Sequence, residues 1–198
     1  MTLGAQVSVI AGTKYVGGHS DLMLGAVVTN DEAMIAKRLN RTQYAMGYSI
    51  SADDAWLALR GVRTMPIRMA QHAKHALEIC EFLQSRPKVA QIYHPALPQD
   101  AGHALWKRDC TGFNGMLAVA LRLSNAQARH VVDSLRLFGI GFSWGGFESL
   151  VQLVTPGELA HHRYWKQGDL ALLRLHIGLE APADIIADLK QALDAASA

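Results

Sequence analysis

The stretch Gly12–Gly25, GTKYVGGHSDLMLG, sets a lysine in a glycine-rich turn between two apolar runs. The run before it, VSVIAG (7–12), is β-branched and closes on small residues, which predicts a strand entering a loop. The run after it, LMLGAVVTN (22–30), predicts a buried strand. Asn30 or Asp31 then offers a helix N-cap with Glu32 in the first turn, and the helix AMIAKRLNRTQYAM is expected to stop at Gly47. Strand, loop, strand and helix in that order are the pattern of an α/β sheet.

Lys14 stands in that turn between a small hydroxyl residue, Thr13, and an aromatic one, Tyr15. Two readings are open. It is a lysine that snorkels at a strand end. Or partial burial lowers the pKa of its amine and frees it as a nucleophile or Schiff-base former. His19 and Asp21 read as hydrogen-bond partners that brace the loop, because no serine or cysteine nucleophile stands in a recognisable context around them.

Downstream, Ser51-Ala-Asp-Asp54 is a capping-box pattern that opens a helix running to about Gln84, with a break or kink expected at Pro66. A loop with two prolines, IYHPALPQD, and a polar segment to about Asn114 follow. GMLAVALRL (115–123) is a strand candidate. Asn125 is expected to cap a helix, AQARHVVDSLRLF, closed by Gly139. GIGFSWGGFESLVQLVTP holds a glycine-rich loop and a strand, LLRLHIGLE is a further strand, and PADIIADLKQALDAA a final helix. This part reads as an α+β or two-layer unit, with a domain boundary near residue 60.

Bulk properties narrow the classes. The chain has 198 residues, enough for one well-buried domain or one small domain plus a piece of another. Half of it is hydrophobic, 18% is charged, and the net charge is +2, which gives no electrostatic footprint for nucleic acid. No run approaches the ~20 apolar residues of a membrane span, and the N-terminus lacks the pattern of a signal peptide. Cys80 and Cys110 form no CxxC or zinc-spaced cluster and read as reduced thiols of a cytosolic protein. Adjacent His161 and His162 cannot converge on one ion from a helix or strand, so no metal site is expected.

Two further places could carry chemistry. Arg174 sits among leucines in a predicted strand, where a guanidinium fork needs a carboxylate. Glu180 or Glu148 could supply it, or Arg174 waits for a substrate carboxylate. Gly139–Gly146, GIGFSWGG, has four glycines that let backbone approach a ligand, with Ser143 offering a hydroxyl and Trp144 an indole N–H. The alternative is a tight loop between helix and strand.

Taken together, GTKYVGGHSDLMLG, GFSWGGFESL and LLRLHIGLE resemble, in order, the cofactor-lysine and substrate-carboxylate segments of the pyridoxal-phosphate enzymes of cysteine and methionine metabolism. WLALRGVRTMPIRM and the YHPALP and HALWKRDCTGFNG regions are similar to that family too, so the resemblance covers essentially the whole chain. The run SWGGFE resembles the bacterial cystathionine β-lyase branch more than the γ-synthase and γ-lyase branches.

The resemblance implies a fold-type I, α/β pyridoxal-phosphate transferase-like fold. Residues 1–60 would be the C-terminal end of a truncated cofactor-binding large domain and 61–198 the C-terminal small domain. Lys14 would hold pyridoxal 5'-phosphate and shuttle protons, and Thr13 would contact its phosphate. Arg174 would bind the substrate α-carboxylate, helped by Ser143 and Trp144. The family often has a serine three residues before the lysine, where this chain has Ala11. The implied reaction is β-elimination of cystathionine to homocysteine, pyruvate and ammonia in a cytoplasmic homo-oligomer, a homotetramer in the full-length form.

Only thirteen residues precede Lys14. The family's phosphate-cradling glycine turn, ring-stacking tyrosine and pyridine-pairing aspartate all come before the lysine and are expected outside this sequence. The chain is therefore expected to correspond to a C-terminal half. The alternatives are a non-catalytic fragment or split-enzyme half, and a related γ-lyase or γ-synthase.

Overall fold

The computed structural model describes residues 4–30, 33–160, 162, 165, 168 and 170–196. The chain divides into two compact units, Met1–Pro66 and Ile67–Ala198.

In the first unit β1 (Val7–Ala11) pairs antiparallel with β2 (Gly25–Thr29), from Val7↔Thr29 to Ala11↔Gly25. The expectation of a buried second strand is not met: Val27 is 53% and Val28 46% exposed. A two-stranded ribbon has no interior strand and cannot close its own faces. Helix α1 (Ala33–Met46) stops where a residue with positive φ is needed, at Gly47, φ +67°. The Tyr48 N–H donates to the Gln43 carbonyl and the Gly47 N–H to that of Tyr44, the paired bonds of a Schellman ending. The expected start signals Asp31 and Glu32 lie outside the described residues.

Helix α2 (Ala52–Gln84) starts as its capping box requires: the Ser51 hydroxyl accepts the Asp54 N–H at 3.0 Å. It runs through Pro66 without the expected break. Pro66 and Val62 are both exposed, so water can satisfy the Val62 carbonyl that proline cannot bond.

The second unit holds a five-stranded sheet in the order β3-β4-β7-β6-β5. Its strands are β3 (Val89–Tyr93), β4 (Met116–Leu121), β5 (Gly139–Ile140), β6 (Leu150–Val154) and β7 (Ala171–His176). Only β5 and β6 pair in parallel. The helices are the rest of α2, α3 (His103–Asp109), α4 (Asn125–Ser134), α5 (Pro156–Leu159) and α6 (Pro182–Ala195).

Two of these elements correct the loop and polar segment expected over residues 92–114. Strand β3 is short and its register on β4 shifts between Val89 and Gln91, which breaks the alternation a strand shows in sequence. Helix α3 buries none of its residues, so it has no apolar stripe to betray it. A third correction concerns α4. Its N-cap is Ser124, not Asn125: the Ser124 hydroxyl accepts the Gln127 N–H at 3.2 Å while the Gln127 side-chain Oε1 accepts the Ser124 N–H at 3.0 Å. The helix ends at Ser134, and Gly139 opens β5 instead of closing α4.

The core of this unit joins Leu117 and Val119 of β4, Val151 of β6, and Leu173 and Leu175 of β7 to Ile79, Val131, Ile185 and Leu189 of the helices. On α6 the buried positions are 185, 188, 189, 192 and 193, the spacing of one helical face. Asp188 is the polar member of that stripe. Its carboxylate accepts the main-chain N–H groups of Arg136 (2.9 Å) and Leu137 (2.8 Å) and the Gln191 amide (3.0 Å), which ties α6 to the chain leaving α4. Cys80 is buried, with its thiol pushed up to about 12 by desolvation, and Cys110 is exposed; both are free thiols. Among the described residues no helix is long and apolar enough to cross a membrane.

Asp188→Ala would leave two main-chain donors at a part-buried place without their acceptor and is expected to cost about 1 kcal/mol. Asp188→Asn keeps one acceptor and should lose less. Urea unfolding of both variants measures this, and equal stability of Asp188→Ala and the parent chain would refute it.

Candidate functional site

Lys14 lies in a turn whose main chain is closed by its own hydrogen bonds. The Lys14 N–H donates to Ala11, Gly17 to Gly12 at 2.9 Å, and Gly18 to the Lys14 carbonyl at 2.8 Å. The lysine is half-buried. His19 braces the turn through Nδ1, 2.8 Å from the Gly17 carbonyl. Thr13 fastens it to the start of β2: the Thr13 hydroxyl accepts the Leu24 N–H at 2.8 Å, and the Thr13 N–H donates to the Leu24 carbonyl at 3.1 Å. That hydroxyl also lies 3.3 Å from the Leu24 carbonyl, a long contact that leaves its proton weakly held.

The turn is also held from α2. A Cβ on Gly61 would stand 2.3 Å from the Val16 carbonyl oxygen and 2.5 Å from that of Gly17. Only a glycine in the helix lets the two backbones come this close. Gly61 was not among the residues expected to serve the site. Its signal was a glycine inside a helical pattern, which costs stability against alanine and so points to a packing reason.

In the second unit the structure brings Arg174, Ser143 and Trp144 together. Arg174 is on β7 between the leucines of the core face, so it turns to the opposite, half-open face of the sheet. Its Nη2 donates to the Gly141 and Ser143 carbonyls, both at 3.4 Å, and its guanidinium carbon lies 5.6 Å from the centroid of the Trp144 ring. Both hydrogen bonds are long. No carboxylate among the described residues forms an ion pair with Arg174, and partial burial draws its pKa down from the ordinary guanidinium value.

Glu180 is engaged elsewhere: it accepts the Ser149 N–H at 2.6 Å and the Ser149 hydroxyl at 2.9 Å, and that hydroxyl accepts the Gly178 N–H at 2.9 Å. A Cβ on Gly178 would meet the Phe147 carbonyl oxygen and Glu180 Oε2, each at 2.3 Å, so the exit of β7 and the end of the glycine loop are locked by another close approach. A half-buried guanidinium fork matches an anion of planar, two-oxygen shape.

The loop's other anchor is His176, which the sequence did not single out. It is 1% exposed, and its Nε2 lies 3.1 Å from both the Gly145 N–H nitrogen and the Gly146 carbonyl oxygen. Its ring is 5.2 Å from that of His72, whose Nδ1 bonds the Ile177 carbonyl at 2.8 Å. Burial pushes the His176 pKa down to about 4, and burial also lowers His72 and His94. Of the adjacent histidines, His161 lies outside the described residues.

A family model described as "Cys/Met metabolism PLP-dependent enzyme" matches residues 1–194. The chain is 80% identical over 197 residues to a cystathionine beta-lyase of Bordetella avium, an alignment that covers 100% of this chain and 50% of that one. It is 42% identical over 195 residues to cystathionine beta-lyase MetC of Escherichia coli (strain K12), covering 96% of this chain and 48% of the relative. A crystal structure of cystathionine gamma synthase from Xanthomonas oryzae pv. oryzae in complex with cystathionine superposes with a TM-score of 0.89. It shares 37% identity over 98% of this chain and 51% of that chain. The chain spans about half the length of the curated relatives it matches.

Gly61→Ala should speed amide exchange at Gly17 and Gly18 by about tenfold or more, although alanine is the better helix former by roughly 1 kcal/mol. Unchanged exchange there would mean that the approach of α2 does not hold the turn. The neutral buried histidines set a pH dependence as well. Their folded pKa values lie below the unfolded value of about 6.5, so the stability they contribute is full above that pH. It is lost as pH falls through the folded values, about 4 for His176. The urea midpoint is expected to drop steadily from pH 7 to 4.5, and a flat midpoint over that range would contradict it.

Proposed function

Because the chain belongs to the Cys/Met metabolism PLP-dependent enzymes, whose fold-type I architecture it shares, we propose that it carries the cofactor lysine and the substrate-carboxylate site of a carbon–sulfur lyase acting on cystathionine. One observation carries the reading to this chain's own residues. Arg174 is half-buried beside a glycine loop with no carboxylate paired to it among the described residues, and Lys14 lies in a closed glycine turn.

The residues present fit the cofactor. Lys14 offers a primary amine for an aldehyde, and Thr13 has a hydroxyl proton that can turn from its 3.3 Å contact to a phosphate oxygen. When bound, pyridoxal 5'-phosphate supplies an electron sink for a carbanion at the substrate Cα. Arg174 holds the α-carboxylate through its fork and so fixes which Cα bond is aligned for cleavage. The Trp144 ring covers one side of the guanidinium and keeps water from it. Lys14 Nζ takes the Cα proton and returns a proton to the departing sulfur, which leaves as the homocysteine thiol. The remaining three-carbon skeleton breaks down to pyruvate and ammonia.

A second reading rests on the solved gamma synthase, which shares this fold at 37% identity. In that reading the same lysine and arginine serve chemistry at Cγ. A third rests on coverage: these residues span about half the relatives' length and supply part of a site, so the chain binds without turning over. In either lyase reading the working form is a cytoplasmic homo-oligomer. The exposed Val9, Val27, Tyr44 and Met46 of the first unit are consistent with surface that assembly covers.

Adding pyridoxal phosphate to the chain should produce a visible absorption band that Lys14→Ala abolishes. A band of equal strength in the variant would refute the lysine's role. Where turnover is found, pyruvate marks cleavage at Cβ and a four-carbon oxo acid marks cleavage at Cγ. Arg174→Ala should lower kcat/KM by about a hundredfold or more, since it leaves a substrate charge without its partner.

A further inference from the structure

We propose that His176 is a positioning residue for the carboxylate site: its Nε2 grips the main chain at Gly145–Gly146 and thereby sets the path of the loop on which Arg174 depends. The inference rests on the reading of Arg174 as the carboxylate ligand.

Arg174 and His176 are two residues apart on β7 and stand on the same face of the sheet. Their cross-strand neighbours there are Ala118 and Gln152 for Arg174, and Met116 and Leu150 for His176. All four are half-buried, yet His176 is closed off from water. What covers it is the glycine loop, which turns at Gly145 with φ +85°. The loop is tied to β7 and its exit at successive points. Arg174 holds the carbonyls of Gly141 and Ser143, His176 holds Gly145 and Gly146, the Leu179 N–H donates to Phe147 at 2.7 Å, and Glu180 holds Ser149. His176 is the tie adjacent to Ser143 and Trp144.

One nitrogen cannot serve both loop partners at once. To accept the Gly145 N–H it must present a lone pair, and to donate to the Gly146 carbonyl it must carry a proton. In the neutral ring protonated at Nδ1 the grip is on Gly145; in the neutral ring protonated at Nε2, as in the imidazolium, it is on Gly146. Depression of the His176 pKa to about 4 keeps the neutral ring in place at physiological pH. The groups facing it are His72 from α2, Glu148 from the loop and Arg174 from its own strand, with Gly115 and the β4 residue Met116 beside it.

The test reads the Trp144 indole N–H and the Gly145 amide by NMR, with L-cystathionine as the probe. Arg174→Ala first tests the reading beneath: if cystathionine shifts the Trp144 signal as strongly in that variant as in the parent, the carboxylate site itself fails. With Arg174 intact, His176→Phe keeps the ring's bulk and removes its nitrogens. It should speed Gly145 exchange and weaken cystathionine binding by roughly three- to tenfold each, the worth of one hydrogen bond. His176→Gln restores an acceptor and should recover most of both. In the parent chain affinity should fall as pH is lowered towards about 4, and this limb should be missing in His176→Phe. Unchanged binding and exchange in His176→Phe overturn the proposal. So does an equal loss in His176→Gln with the Val119 amide still protected, because filling space would then be all that the histidine does. Should His176→Phe fail to fold, His176→Gln and the parent's pH limb decide alone: recovery with a blunted limb supports the grip, and an unaltered limb overturns it.

Discussion

Strand β7 cannot bury Leu173 and Leu175 without turning Arg174 and His176 to the other face, because side chains along a strand alternate. It is also paired on both sides, to β4 and to β6, so it cannot slip by one residue without driving the arginine into the core. The placement of the guanidinium is thus a by-product of core packing. The core decides where the guanidinium points, and the glycine loop decides what stands next to it.

Close backbone approach is the second constraint, and it recurs at both candidate groups. Gly61 lets α2 rest against the carbonyls of the lysine turn, and Gly178 lets the end of β7 rest against Phe147. In each case a helix or strand holds a loop by contact of main chain on main chain, with no side chain as spacer. Such contacts fix position to a few tenths of an ångström, which a reacting amine or a two-oxygen ligand requires.

Local rules made much of this legible in the sequence. The Ser51 cap, the stop at Gly47, and the strands of 116–121 and 171–176 each follow from a few neighbouring residues. What escaped is what only tertiary structure creates. Strand β3 has an irregular register, α3 lies with every side chain at least partly in water, and Pro66 sits on an exposed side where its missing bond is cheap. Of the candidate residues in the two units, Lys14, Thr13, Arg174, Ser143 and Trp144 drew notice for their chemistry. Gly61, His176 and the Ser149–Glu180 pair did not, because a glycine's neighbour or a histidine's partner about thirty residues away leaves no local trace. Glu180 was considered as the partner of Arg174 and in fact secures Ser149.

The ties that lace the loop over β7 nearly all end on its main chain, at Gly141, Ser143, Gly145, Gly146 and Phe147. The side chains of Phe142 and Phe147 point out of that lacing and are largely in water, 72% and 51% exposed. Frame and side chains are therefore separable. Substitutions at these two positions can change what the rim of the site presents while the fastening beneath stays as it is. A lineage could change what this loop contacts by small steps, without first passing through a protein that no longer folds.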